Sequence, residues 1–318
     1  MIAFNENMKF CDKEIDILTV GELLVDMIST EYSVNFESND YQRFFGGSPA
    51  NIAMNTKKLG IKSQIVSAVG NDGLGHFLIE HLKNNEMNIN LIKTVEYPTS
   101  LVLVTKSKGT PVPIFYRGAD FHLNYDEELE QHIKKAKIIH FSCWPLSMEP
   151  VRGTMEKVIE TAKKNNVIIG FDPNYHPMIW ERNHNGIEYV KSIIKSVDII
   201  KPSEDDSERL FGKDTPNNQI NKFIALGAKL VIMTLGKDGA IISNGREKIN
   251  IPTMASNVVD TTGAGDAFWS GFYAGIIKGY TVEKALRLGS AVSAYKLKFA
   301  GAVVPLLSLE KIKLEYKL

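Results

Sequence analysis

The sequence predicts an α/β protein: a mostly parallel sheet covered by helices on both faces, with a small separate β-sheet beside it. Three observations carry this. Short apolar runs without alternation recur along the chain, the pattern of strands buried on both faces. Segments of helical periodicity lie between them, which implies crossover connections. Two further segments alternate and carry more polar residues, as a sheet with one open face does.

In chain order, residues 16–20 form a first apolar strand ending at Gly21, and residues 24–37 are the first alternating segment. Residues 49–59 read as a helix opening just after Gly46-Gly47, with Pro49 in the first turn, where a missing amide costs nothing. Residues 64–69 are a β-branched strand ending at Gly70, and residues 76–84 are helical. Residues 101–105 and 112–116 flank Lys106-Ser107-Lys108-Gly109-Thr110, a hairpin signal. Strands at 138–141, 167–171, 197–201 and 230–235 alternate with helical patterns at 150–165, 186–196, 203–210 and 219–226. The two alternating segments read either as a small sheet of their own or as edge strands of the main one; alternation favours the first.

The 318 residues are 44% hydrophobic and 23% charged, with 37 basic and 37 acidic side chains. That balance shows no nucleic-acid footprint and no membrane-binding patch. Cys11 and Cys143 are too few for a disulfide framework or a zinc site. No segment approaches the roughly 18 apolar residues of a membrane span. Residues 1–13 lack the apolar core of a signal peptide and read as a loose leading extension, so a cytoplasmic setting is the expectation.

The most informative stretch is Val259-Asp260-Thr261-Thr262-Gly263-Ala264-Gly265-Asp266-Ala267-Phe268. Phe268, Trp269, Phe272, Tyr273, Ile276 and Ile277 recur at helical spacing, so a helix begins near Gly265. Small residues leave the amides of that helix start uncovered, and such amides bind anions, phosphate above all. Asp266 repels an anion there, unless it takes a proton from the group attacking the phosphorus. The plainer alternative is that Asp266 only caps the helix.

Asp-Thr-Thr-Gly-Ala-Gly-Asp-Ala-Phe resembles the C-terminal signature of the ribokinase-like (PfkB) sugar kinases. Phe45-Gly46-Gly47-Ser48-Pro49-Ala50-Asn51-Ile52-Ala53 resembles their N-terminal signature, in the family's order. The resemblance implies one ribokinase-like domain over residues 14–318, with residues 24–44 and 99–118 forming a lid sheet over the sugar. It implies an ATP-dependent sugar kinase needing Mg2+, with K+ as a further expectation and no nucleic-acid or membrane partner. Association of two chains through the lid sheet is also expected.

The roles it implies are these. Asp266 is the base, and the amides of Gly263, Ala264 and Gly265 hold the developing charge. Asp26, Gly46, Gly47, Asn51, Arg117, Asp172 and Asn174 contact the sugar. Lys201, Glu204, Thr234, Gly236, Gly239 and Ser290 serve the nucleotide, Glu204 also holding Mg2+ through water. Asp260, Thr262 and Gly301 match positions around K+. Plainer readings stand beside several of these. Gly46-Gly47 is also a turn before a helix, Asp26 an acid on a strand edge, and Glu204 a helix N-terminal acid. Gly-Lys-Asp-Gly at 236–239 is also an ordinary turn signal.

Gly46–Asn51, the stretch at 116–120 and Pro173-Asn174 look most like fructokinases, although Ser48-Pro49 also occurs in 5-dehydro-2-deoxygluconokinases. His176 stands where 2-keto-3-deoxygluconate kinases often carry Arg. A histidine lacks the bidentate fork that suits a carboxylate, so a neutral sugar is expected. No Gly-x-x-x-x-Gly-Lys-Ser/Thr is present, and Gly70-Asn71-Asp72-Gly73-Leu74-Gly75 has the wrong spacing for a dinucleotide fingerprint. Two other readings, a silent sugar-binding homologue and a nicotinamide oxidoreductase, lack support from the acid and from the glycines respectively.

Overall fold

Runs that are apolar on consecutive positions must bury both faces, and they assemble accordingly. The computed structural model describes residues 2–32, 36–106, 113–181 and 184–318. Its first half contains β1 (Ile15–Val20), β2 (Leu24–Tyr32), β3 (Tyr41–Gly46), α1 (Ser48–Lys58), β4 (Ser63–Gly70), α2 (Gly73–Asn84), β5 (Ile92–Val95), β6 (Leu101–Lys106), β7 (Ile114–Tyr116), α3 (Glu127–Lys135), β8 (Ala136–Ser142) and α4 (Val151–Lys164). The second contains β9 (Ile168–Asp172), α5 (Gly186–Ile194), β10 (Ile199–Ile200), α6 (Glu204–Phe211), α7 (Pro216–Ala225), β11 (Leu230–Thr234), β12 (Ala240–Ser243), β13 (Lys248–Ile251), α8 (Ala264–Ile277), α9 (Val282–Lys296) and α10 (Leu309–Tyr316).

The main sheet has the order β13-β12-β11-β10-β9-β8-β1-β4-β5. Pairing is parallel except for β11–β12 and β12–β13. Neighbouring residues enter different cores: Leu18, Ile139, Ile200 and Val231 face one. Ile17, Ile138, Ile199 and Leu230 face the other, with α8 and α9. The order in which strands are added reverses around β1, flanked by β4 and β8, and ligands of such sheets sit beyond the strand ends at that switch point.

The alternating segments form a separate four-stranded sheet, order β3-β2-β6-β7, and not edges of the main one. β6 and β7 pair as a hairpin, Leu101 opposite Tyr116; its tip at 107–112 lies outside the described residues. The N-terminal segment corrects the expectation of a loose lead. Phe4 is buried, and the carbonyls of Phe4 and Glu6 accept from the Glu283 and Val282 amides at 2.9 and 3.0 Å. Those are the orphan donors of a helix start, here α9. Among the described residues no helix is long and apolar enough to cross a membrane.

Candidate active site

The ends of β1, β8, β9, β10 and β11 open into a cleft of about 410 Å3, and Leu24, Asp26, Val102 and Phe115 of the small sheet close one side of it. A second groove of about 590 Å3 lies between the β11–β13 end and α8–α9. Each is large enough for one small ligand. Gly265 lines both, Gly263 and Asp266 the first, and Ala264 the second. The start of α8 therefore stands at their junction.

Gly263 adopts φ 73°, which L residues avoid, and this turn sets the amides free at the head of α8. The Ala264 amide donates to the Thr261 carbonyl at 3.1 Å. Of the three amides expected to hold charge, Gly263 and Gly265 therefore remain for an anion, since among the described residues neither has a partner. Lys201, at the end of β10, lies beneath them: a Cβ on Gly265 would sit 3.1 Å from its Nζ. Its ammonium pairs with Asp172 at 3.0 Å, and Trp269 Nε1 donates to the same carboxylate at 2.9 Å.

Asp266 is buried. Ser48 Oγ donates to its Oδ1 at 2.7 Å and Asn51 Nδ2 to its Oδ2 at 2.8 Å. Desolvation pushes its pKa up to about 6, against the lowering effect of those two bonds. Asn51 thus holds the acid, and its own Oδ1 is buried with no partner among the described residues. Gly47, at φ 101°, lets α1 begin against the Glu22 carbonyl. Gly46 does not line the cleft; a Cβ there would strike the Asp26 carboxylate, so its role is to leave room.

Asp26 faces the cleft and its carboxylate makes no hydrogen bond among the described residues; desolvation, then the Asp266 charge, pushes its pKa to about 7. Glu22, which also lines the cleft, is raised to about 8, again chiefly by desolvation, with Ser142 Oγ donating to both oxygens at 3.0 Å. Sequence reasoning passed over Glu22, although an acid just beyond the first strand of a parallel sheet is a signal. Trp144 and Phe115, which wall the cleft, carried none.

Two further expected residues sit elsewhere. Arg117 does not reach the cleft: its guanidinium is buried, bonded to Asp120 and Ser147, and stacked on Trp144. Glu204 is exposed and borders a separate depression with Glu208 and Lys213. Of its neighbours, Asp205 is exposed and borders the groove, and Asp206 turns inward to the cleft. The capping box explains this, because Ser203 and Asp206 bond each other across the first turn of α6. Asn174 and Asp172 line the cleft; Thr234, Gly236, Gly239 and Ser290 line the groove. Asp260 gathers Thr262 and Gly301: its Oδ1 accepts from the Thr262 amide and hydroxyl at 2.9 and 2.8 Å, and its Oδ2 from the Gly301 amide at 2.7 Å.

Residues 14–308 match the model of the pfkB family carbohydrate kinase. A relative from Thermoanaerobacterium thermosaccharolyticum named ATP-dependent 6-phosphofructokinase is 61% identical, covering 100% of this chain and 99% of that protein. A fructokinase of Halothermothrix orenii is 41% identical and superposes with a TM-score of 0.80, over 87% of this chain and 98% of that one. A candidate ribokinase II from E. coli, in complex with ATP and Mg2+, is 25% identical with a TM-score of 0.84, over 96% and 99%. Matched in sequence along almost its full length and sharing the ribokinase-like fold of these structures, the chain belongs to the PfkB family of carbohydrate kinases and is a sugar kinase.

Proposed function

We propose that this chain transfers the γ-phosphoryl group of ATP to a primary hydroxyl of fructose. One observation carries the reading: the head of α8 presents free amides at the junction of two pockets, with Asp266 held on the cleft side. A hydroxyl in the cleft loses its proton to Asp266. Its oxygen attacks the γ-phosphorus, and the Gly263 and Gly265 amides with Lys201 meet the charge that develops. Mg2+ carried on the ATP phosphates would neutralise charge there. It keeps much of its water and needs few protein ligands, and Asp205, which lines the groove, is the carboxylate placed for it, because both oxygens of Asp206 already accept from Tyr175 and Ser203.

A neutral sugar fits the acidic end of the cleft. Asp26 and Glu22, with pKa values raised to about 7 and 8, are hydrogen-bonding groups of little charge for hydroxyls, whereas Arg117 is committed to Asp120 and Lys201, paired with Asp172, stands at the cradle. A sugar acid or sugar phosphate would need an unpaired cation there. A second reading, fructose 6-phosphate as the acceptor, is favoured by the name of the 61% identical relative. ADP release should be measured with fructose, fructose 6-phosphate, 2-keto-3-deoxygluconate and 5-dehydro-2-deoxygluconate. The highest kcat/KM is expected on fructose. Preference for fructose 6-phosphate would establish the second reading and overturn the first.

A further inference from the structure

A charge stands on the buried stripe of α9. Ala285, Gly289, Val292 and Lys296 follow at helical spacing, and Lys296 is fully buried. Its Nζ donates to the Asp260 carbonyl at 2.7 Å. Asp260 opens the loop that becomes the anion cradle, and its carboxylate is already satisfied by Thr262 and Gly301. The expected K+ would need these oxygens as ligands, yet protein donors, one of them an ammonium, already occupy them. Burial lowers the Lys296 pKa, while the Asp260 and Asp266 charges favour the ammonium. The residues therefore fit a protein cation better than a free one.

We infer that Lys296 is the built-in cation of the cradle loop, a positioning residue that makes phosphoryl transfer independent of a free monovalent cation. Its ammonium ties the end of α9 to the residues that aim the Gly263 and Gly265 amides. The inference rests on phosphoryl transfer at that cradle.

The test uses whichever sugar is turned over, in KCl, NaCl and choline chloride at equal ionic strength, with melting of the ligand-free protein as an independent readout. The parent's kcat should agree within about twofold across the salts, and K296M should lower kcat about tenfold with little change in sugar KM. K296A should recover part of its kcat, and gain melting temperature, in KCl or NH4Cl but not in choline chloride. A parent activated about tenfold or more by K+ would overturn the inference, as would full kcat in K296M. If a variant does not fold, the parent's salt response decides. If no sugar is turned over, the kinase reading has failed, and a parent melting temperature raised by K+ over choline would still refute the role of Lys296.

Discussion

Asp266 must be ionised to take a proton, yet it sits where ionisation is opposed. Its pKa of about 6 is the balance of burial against the bonds from Asn51 and Ser48. The acid limb of kcat/KM should therefore fall below about pH 6, since only the carboxylate accepts the proton. In Ser48→Ala one lowering contact is gone, so the limb should move to higher pH. A limb that stays in place would mean that Asp266 is not the group titrating. Asp266→Asn keeps the hydrogen-bonding shape and removes the base, so kcat should drop by roughly 10² or more with ATP affinity retained. Near-normal turnover would leave Asp266 only its place in the first turn of α8.

At the scale of elements, α8 must bring its head to the junction while its body disappears into the core. Residues Asp266–Ile276 are all buried, and the helix lies against α9 through Gly271 and Gly275. A Cβ on Gly271 would lie 2.6 Å from the Leu288 carbonyl. Gly271→Ala should therefore cost about 1–3 kcal/mol in denaturant unfolding and lower kcat as the cradle shifts. Gly73→Ala, where a Cβ meets nothing within 4 Å, is the control and should be neutral or slightly stabilising. The sequence made α8 legible because periodicity and small residues coincide at its start. It also made the small sheet and the parallel strands β1, β4, β8, β9, β10 and β11 legible, but not the parallel edge strand β5. The antiparallel edge β12–β13 escaped, being two short strands with polar Ser243 and Lys248 at the turn between them. So did the docking of Phe4 and Glu6 on α9, which uses main-chain carbonyls that no side-chain pattern reports. At the site, residue types pointed to Asp26, Asn51 and Asp266. Which carboxylate of Glu204-Asp205-Asp206 turns inward depended on the cap of α6, and the fate of Arg117 on a buried partner far along the chain, Ser147.

The whole molecule bears the cost of assembling acids in one desolvated cleft, and that cost is a function of pH. The Glu22 pKa is raised to about 8 and that of Asp26 to about 7, against ordinary carboxylate values in the unfolded chain. Such groups bind more protons folded than unfolded, so their contribution to stability is complete at low pH and is lost as pH rises through the folded pKa. Histidines act oppositely. Burial lowers the pKa of His140 and His176, so the unfolded state gains protons below their ordinary value of 6.5 and acid destabilises. Between about pH 6.5 and 8.5 the carboxyls dominate, and the ligand-free protein should melt higher as pH is lowered across that window. The double variant Glu22→Gln, Asp26→Asn removes both titrations and should melt at a nearly constant temperature there. Scanning calorimetry on parent and variant across the window is the measurement. A parent whose melting temperature is flat, or rises with pH, would show that the cleft acids ionise as freely in the folded chain as in the unfolded one.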